Sequence, residues 1–135
     1  MISILIIAHG TLGESLIHCA SHVFGGLPPQ LRQLGVNVHD DPIALLPEVQ
    51  DLVSELDDGS GVLIMTDIYG ATPSNLACRL IEPGRVECVA GVNLPMLVRA
   101  LTYRNEALET VAEKAFSGGR EGVAHVTREA CDDGA

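Results

Sequence analysis

The sequence predicts a doubly wound α/β domain with a mostly parallel sheet of order 2-1-3-4 and helices on both faces. Three observations predict it. Ile2 and Ile4–Ile7, and again Val62–Met65, are short, nearly continuous apolar runs, the pattern of strands covered on both faces rather than one. Amphipathic stretches follow these runs, so strands and helices alternate along the chain. Clusters of Gly, Pro and Asp at 25–26, 40–42 and 57–61 break the chain between them, and right-handed crossovers then place successive strands parallel.

The first strand runs into His9-Gly10-Thr11. Leu12, Leu16, Ile17, Ala20, Val23 and Phe24 then recur at helical spacing until Gly25-Gly26 stops the helix. Leu34–Val38 reads as a weaker, alternating strand. Asp40-Asp41-Pro42 opens a helix carried by Leu45, Leu46, Val49, Leu52, Val53 and Leu56, which residues 57–61 close. The third strand, Val62–Met65, leads into Thr66-Asp67-Ile68-Tyr69-Gly70-Ala71-Thr72-Pro73. With Thr72 as N-cap and Pro73 at the first helical position, the next helix is expected over Ser74–Ile81. Val86–Val92 supplies a fourth strand, Asn93 and Pro95 mark a turn, and Met96, Leu97, Ala100 and Leu101 line a helix. Ala107–Phe116 forms another, ended by Gly118-Gly119. Gly122–Val126 reads as a last short strand and Glu129–Ala135 as a frayed polar tail, so the domain spans 1–127 and the tail 128–135.

One domain suits 135 residues, and 47% hydrophobic residues supply its core. With 8 Lys plus Arg against 18 Asp plus Glu, the net charge of −10 argues against nucleic acid or an anionic membrane as a partner. Cys19, Cys78, Cys88 and Cys131 form no CxxC pair and read as reduced thiols, the first three as small buried hydrophobes and Cys131 as a tail residue. Met1–Ala8 lacks a basic leader and is too short to span a membrane, so a cytoplasmic location without membrane insertion is expected. No metal or other cofactor is expected. His18 and His22 stand four apart, a spacing able to bind metal, but without the Glu of HExxH they read as a solvated helix face. His39, beside Asp40 and Asp41, reads as part of a polar loop, and His125 as structural on the last strand.

Chemistry concentrates on two loops. His9 follows the first strand and Asp67 the third, so the order 2-1-3-4 puts them on adjacent strands at the sheet edge where such folds bind ligands. A carboxylate accepting a hydrogen bond from one imidazole nitrogen fixes the tautomer and leaves the other nitrogen nucleophilic. Neither loop holds Lys or Arg to stabilise a phosphoryl group, so main-chain donors at Gly10, Thr11, Gly70, Ala71 and Thr72 must do so, helped by the hydroxyls of Thr11 and Thr72. Ile68, Tyr69 and Leu12 are the expected apolar contacts for a partner.

IIIAHGTLGESL, VLIMTDIYGATPSNLA, VAGVNLPML and GREGV resemble the mannose-type enzyme IIA domain of the bacterial phosphotransferase system, over residues 1 to about 127. The resemblance implies a phosphocarrier, a transferase charged on His9 by HPr, with Asp67 as the carboxylate partner, and discharged onto an enzyme IIB component. It also implies a homodimer in which Gly122–Val126 is exchanged as a strand. Where many relatives carry Trp and Gly-Gly-Ser in the third-strand loop, this chain has Tyr69 and Gly70-Ala71-Thr72. No IIB domain is expected to be attached, so the acceptor is expected to be a separate protein or absent, the role being sugar uptake or regulation.

Other readings share the strand ending in His-Gly. Small tetrapyrrole-pathway metal chelatases have it, but need a further His and Glu in the pocket, where only Glu14 is nearby. Histidine phosphatases and mutases place Arg before that His, where this chain has Ala8. A regulatory binding module without transfer chemistry is the third.

Overall fold

Strand β1 (Ser3–His9) lies inside the sheet because almost every residue along it is apolar and buried, Ile4 to Ala8 completely. The structure is a computed structural model and describes residues 1–134. Helix α1 (Leu12–Phe24) follows, then β2 (Leu31–Val36), α2 (Pro42–Leu56), β3 (Val62–Thr66), α3 (Thr72–Cys78), β4 (Val86–Ala90), α4 (Leu94–Tyr103), α5 (Leu108–Glu121) and α6 (Arg128–Gly134). The sheet has the order β2-β1-β3-β4 and every pairing is parallel.

Alternation along the central strands divides the core into two layers. Ile4, Ile6 and Ala8 of β1, with Leu63 and Met65 of β3, pack beneath α1, α4 and α5 through Leu16, Ala20, Leu97, Ala100 and Val111. Leu5 and Ile7, with Val62 and Ile64, face α2 and α3 through Val49, Val53 and Leu76. A continuous apolar run is therefore two half-patterns, one for each layer of helices.

Several boundaries differ from the sequence reading. The second strand begins at Leu31, not Leu34, because β1 pairs with it from Ile4↔Leu31 to His9↔Val36, carrying the polar Arg32 and Gln33 along the ladder. Val38 lies past its end and is 94% exposed. The fourth strand ends at Ala90 rather than Val92. Helix α3 is capped by the main chain of Ala71, so Thr72 is its first helical residue rather than its N-cap, and it stops at Cys78 rather than Ile81. Helix α5 runs through Gly118-Gly119 to Glu121, since those glycines lie against α4 where a Cβ would strike Arg99 and Met96. Residues 122–126 form no strand within this chain, and Arg128–Gly134 is a short helix instead of a frayed tail, with Ala135 outside the described residues. Cys19 and Cys78 are exposed rather than buried, Cys19 lying one position before the inward-facing Ala20 and Cys78 closing α3. Cys88 is partly buried, which pushes its thiol up to about 11. His125 lies exposed in the 122–127 segment, not on a strand.

Candidate active site

His9 ends β1 and Asp67 begins the loop after β3, and because Ile7 pairs with Thr66 the two side chains emerge side by side at the carboxyl edge of the sheet. Asp67 Oδ2 accepts hydrogen bonds from the His9 main-chain N–H at 2.8 Å and from His9 Nδ1 at 2.8 Å, while Oδ1 accepts the Ile68 N–H at 2.8 Å. Burial pulls the Asp67 carboxyl upward, but the His9 N–H, the His9 ring and the Ile68 N–H outweigh it and hold the group below its ordinary value. A carboxylate has no proton to give, so the proton in the shared bond sits on Nδ1 and a neutral ring presents a lone pair at Nε2. The Asp67 side chain is 9% exposed and that of His9 is 49% exposed: the acid is anchored and the ring faces solvent.

Neighbouring main chain shapes the edge. Gly10 takes a left-handed turn, φ +56°, and donates its N–H to Val36 O at 2.9 Å, tying the turn to β2. Gly35 stands beside it, and a Cβ there would overlap the Gly10 carbonyl oxygen, so the close approach of β2 to the His9 turn depends on that glycine. Thr11 caps α1 without spending its hydroxyl on the helix. The N–H groups of Thr11, Leu12, Gly13 and Glu14 take no acceptor among the described residues, as a helix start requires, and they lie at the positive end of a 13-residue helix.

The second loop contributes less than its sequence suggests. The Ala71 N–H is spent on Ile68 O at 3.2 Å, as the Gly10 N–H is spent on Val36, so neither is a free donor. The Gly70 and Thr72 N–H groups take no acceptor among the described residues. Gly70, at φ +86°, has its carbonyl held by the Asn75 side chain at 3.2 Å, which sets the loop's path into α3. Thr72 lines a cavity of about 360 Å³ between the starts of α2 and α3, with Asp41, Ile43, Asn75 and Arg79, and neither His9 nor Asp67 reaches it.

Exposed apolar side chains form a rim at this end of the sheet. Leu12, Ile68 and Tyr69 are 41%, 61% and 84% exposed. Val38, past the end of β2, and Ile43, 77% exposed in the first turn of α2, project from the same end of the sheet. Sequence reasoning missed these two because it counted Val38 as a strand residue and assigned Ile43 no role. Their signal was an apolar residue on each side of His39-Asp40-Asp41-Pro42. Among the described residues no three His, Cys, Asp or Glu side chains gather to hold a metal ion, and no helix is long and apolar enough to cross a membrane.

Comparison with known proteins adds a family. The EIIA-man family model, described as "PTS system fructose IIA component", matches residues 3–116. The mannose-specific EIIAB component of the Escherichia coli PTS system (strain K12) is 30% identical over 125 residues, covering 90% of this chain and 38% of that protein, so the chain spans less than half of that relative's length. The PTS system fructose-specific EIIA component of Bacillus subtilis (strain 168) is 30% identical over 110 residues, covering 77% of this chain and 71% of that protein. In fold, the mannose/sorbose specific IIA subunit of the phosphotransferase system from Enterococcus faecalis superposes with a TM-score of 0.82 at 20% identity, over 93% of this chain and 94% of that one. With the family model spanning most of the sequence and a curated relative matched over most of its own length, the chain belongs to the EIIA-man family of phosphotransferase system IIA components.

Proposed function

We propose that this IIA component is a phosphocarrier that takes a phosphoryl group from phospho-HPr onto His9 and passes it to an enzyme IIB component. The observation that carries this reading is the His9–Asp67 pair: one nitrogen is held at 2.8 Å by an anchored carboxylate and the other is left free at a solvent-facing edge. The Nε2 lone pair attacks phosphorus in line as the bond to the donor breaks and the donor leaves with its electron pair. Asp67 balances the positive charge that the imidazole acquires. The unspent N–H groups at the start of α1, with the Thr11 hydroxyl and the Gly70 and Thr72 N–H groups of the second loop, receive the phosphoryl oxygens. Discharge to the IIB component reverses these steps.

The apolar rim of Leu12, Ile68, Tyr69, Val38 and Ile43 provides a contact surface on which both partners bury hydrophobic area around the reacting atoms. In the same reading the protein is a cytoplasmic homodimer. Residues 122–126 join no strand among the described residues, Val123 and Val126 are 75% and 67% exposed, and the sheet has open edges at β2 and β4 to which such a segment could add.

The decisive experiment incubates the protein with phosphoenolpyruvate, enzyme I and HPr, then maps the acid-labile phosphate. One phosphoryl group on His9, absent in His9→Ala, is the expected result. A labelled residue other than His9, or no label at all, overturns the assignment.

A further inference from the structure

Helix α1 carries a pair of imidazoles that phosphoryl transfer does not use. His18 and His22 lie one turn apart on its exposed side, their Nε2 atoms 3.3 Å from each other and their rings crossing at 85°. Two nitrogens bound to zinc at about 2.0–2.1 Å with a tetrahedral angle between them stand about 3.3–3.4 Å apart. The separation of the two Nε2 atoms is thus already that of a chelate. His22 occupies the last turn of α1, where helix carbonyls favour a positive charge, and the chain's net charge of −10 acts in the same sense. Beside the rings, Ser21, Gly25 and Gly26 line an open hollow of about 410 Å³, room for water to complete a coordination shell. The site is separate from the His9 edge: at 1.5 Å per residue, His18 and His22 lie roughly 9 and 15 Å along the axis from the first residue of α1.

We propose that His18 and His22 form a chelating site for an imidazole-preferring divalent cation of the Zn²⁺, Ni²⁺ or Cu²⁺ class, with water in the remaining positions. The two rings meet at Nε2, where one ring's Nε2–H donates a hydrogen bond to the other's Nε2 while no metal is bound. A cation takes both Nε2 lone pairs, and each ring then carries its proton on Nδ1. No third protein ligand is needed, in keeping with the absence of any group of three metal-binding side chains among the described residues.

The test titrates the full chain with Zn²⁺ against a chromophoric chelator and follows the ring protons of all five histidines by NMR. One Zn²⁺ per chain is expected, with resonances of His18 and His22 shifting together. His18→Ala and His22→Ala should each weaken binding by roughly a hundredfold, the low end of what a second, intramolecular contact adds. His9→Ala, His39→Ala and His125→Ala should retain it, and both ring substitutions lie on the exposed side of α1, so a circular dichroism melt checks that they fold. Zn²⁺ binding that persists in the His18→Ala/His22→Ala double variant, that follows His9, or that is no tighter than to free imidazole overturns the proposal.

Discussion

Asp67 meets three donors with two carboxylate oxygens, and its role follows from that arrangement. Asparagine at 67 keeps the size but can present an N–H to His9 Nδ1, which favours the opposite tautomer. We predict that Asp67→Asn slows phosphorylation by about 10²–10⁴-fold, the range seen when an imidazole loses its orienting partner, and that rapid-quench assays with phospho-HPr will read it. An unchanged rate would remove Asp67 from the mechanism. Stability follows the same group. Its folded pKa lies below the unfolded one, so its contribution is present above the ordinary carboxylate range near pH 4 and is lost as the pH falls through the lower folded value. In urea titrations Asp67→Asn should therefore be less stable than the parent at pH 7, with the gap narrowing at pH 3. A gap independent of pH would mean that the carboxylate's charge contributes nothing.

At the scale of elements, the site depends on how closely β2 approaches the His9 turn. Gly35→Ala puts a methyl group onto the Gly10 carbonyl and must push the two apart. We expect it to lower both stability and the phosphorylation rate, whereas Gly26→Ala, which meets nothing within 4 Å, should change neither appreciably. Helix α4 offers an independent check away from the site. Asn93 caps it by accepting the Met96 N–H at 2.9 Å and also donates to Gly119 O at 3.0 Å, joining α4 to α5. Asn93→Ala should cost about 1–2 kcal/mol in chemical denaturation and leave His9 phosphorylation intact. Element identity was legible where periodicity and punctuation agreed: in α4, the four expected inward residues are the four buried ones. It was not legible at β2 or at the end of α5. There, a neighbouring strand's ladder and the packing of two glycines against α4 set limits that no local pattern carries.

At the scale of the whole molecule, Arg104 closes the structure on itself. Buried at 5% exposure, its guanidinium donates to the carbonyls of Ile2, Pro29 and Gln30, tying the end of α4 to the starts of β1 and β2. Nothing in the sequence marked it, since a lone Arg after a helix is usually solvated. Arg104→Ala leaves the Ile2 and Pro29 carbonyls without a donor, the Gln30 carbonyl keeping only the Ile4 N–H, and should cost about 3 kcal/mol. Arg104→Lys should rescue little of this, because a point charge cannot span the three acceptors, and thermal melts of the pair decide it. The proposed strand exchange is also tested at this scale. Removing residues 123–135 deletes described side chains that are exposed in the single chain, so the truncated domain should still fold, yet sediment as a monomer where the full chain sediments as a dimer. A dimer that survives the truncation would place the interface elsewhere.

By itself, the sequence determined the order of strands and helices from β1 to α5, the burial of the central strands, and the placement of His9 and Asp67 at one edge, because these follow from local periodicity and from the handedness of parallel crossovers. Tertiary structure alone decided which donors are spent. Gly10 gives its N–H to Val36 and Ala71 gives its own to Ile68, while the start of α1 keeps its four. It alone also decided that Val38 and Ile43 join the apolar rim and that the rings of His18 and His22 meet at their Nε2 atoms. Each of these depends on where a second segment lies in space, and hydrogen bonding and exposure are properties of pairs and surroundings that a residue's own type and neighbours in sequence do not carry.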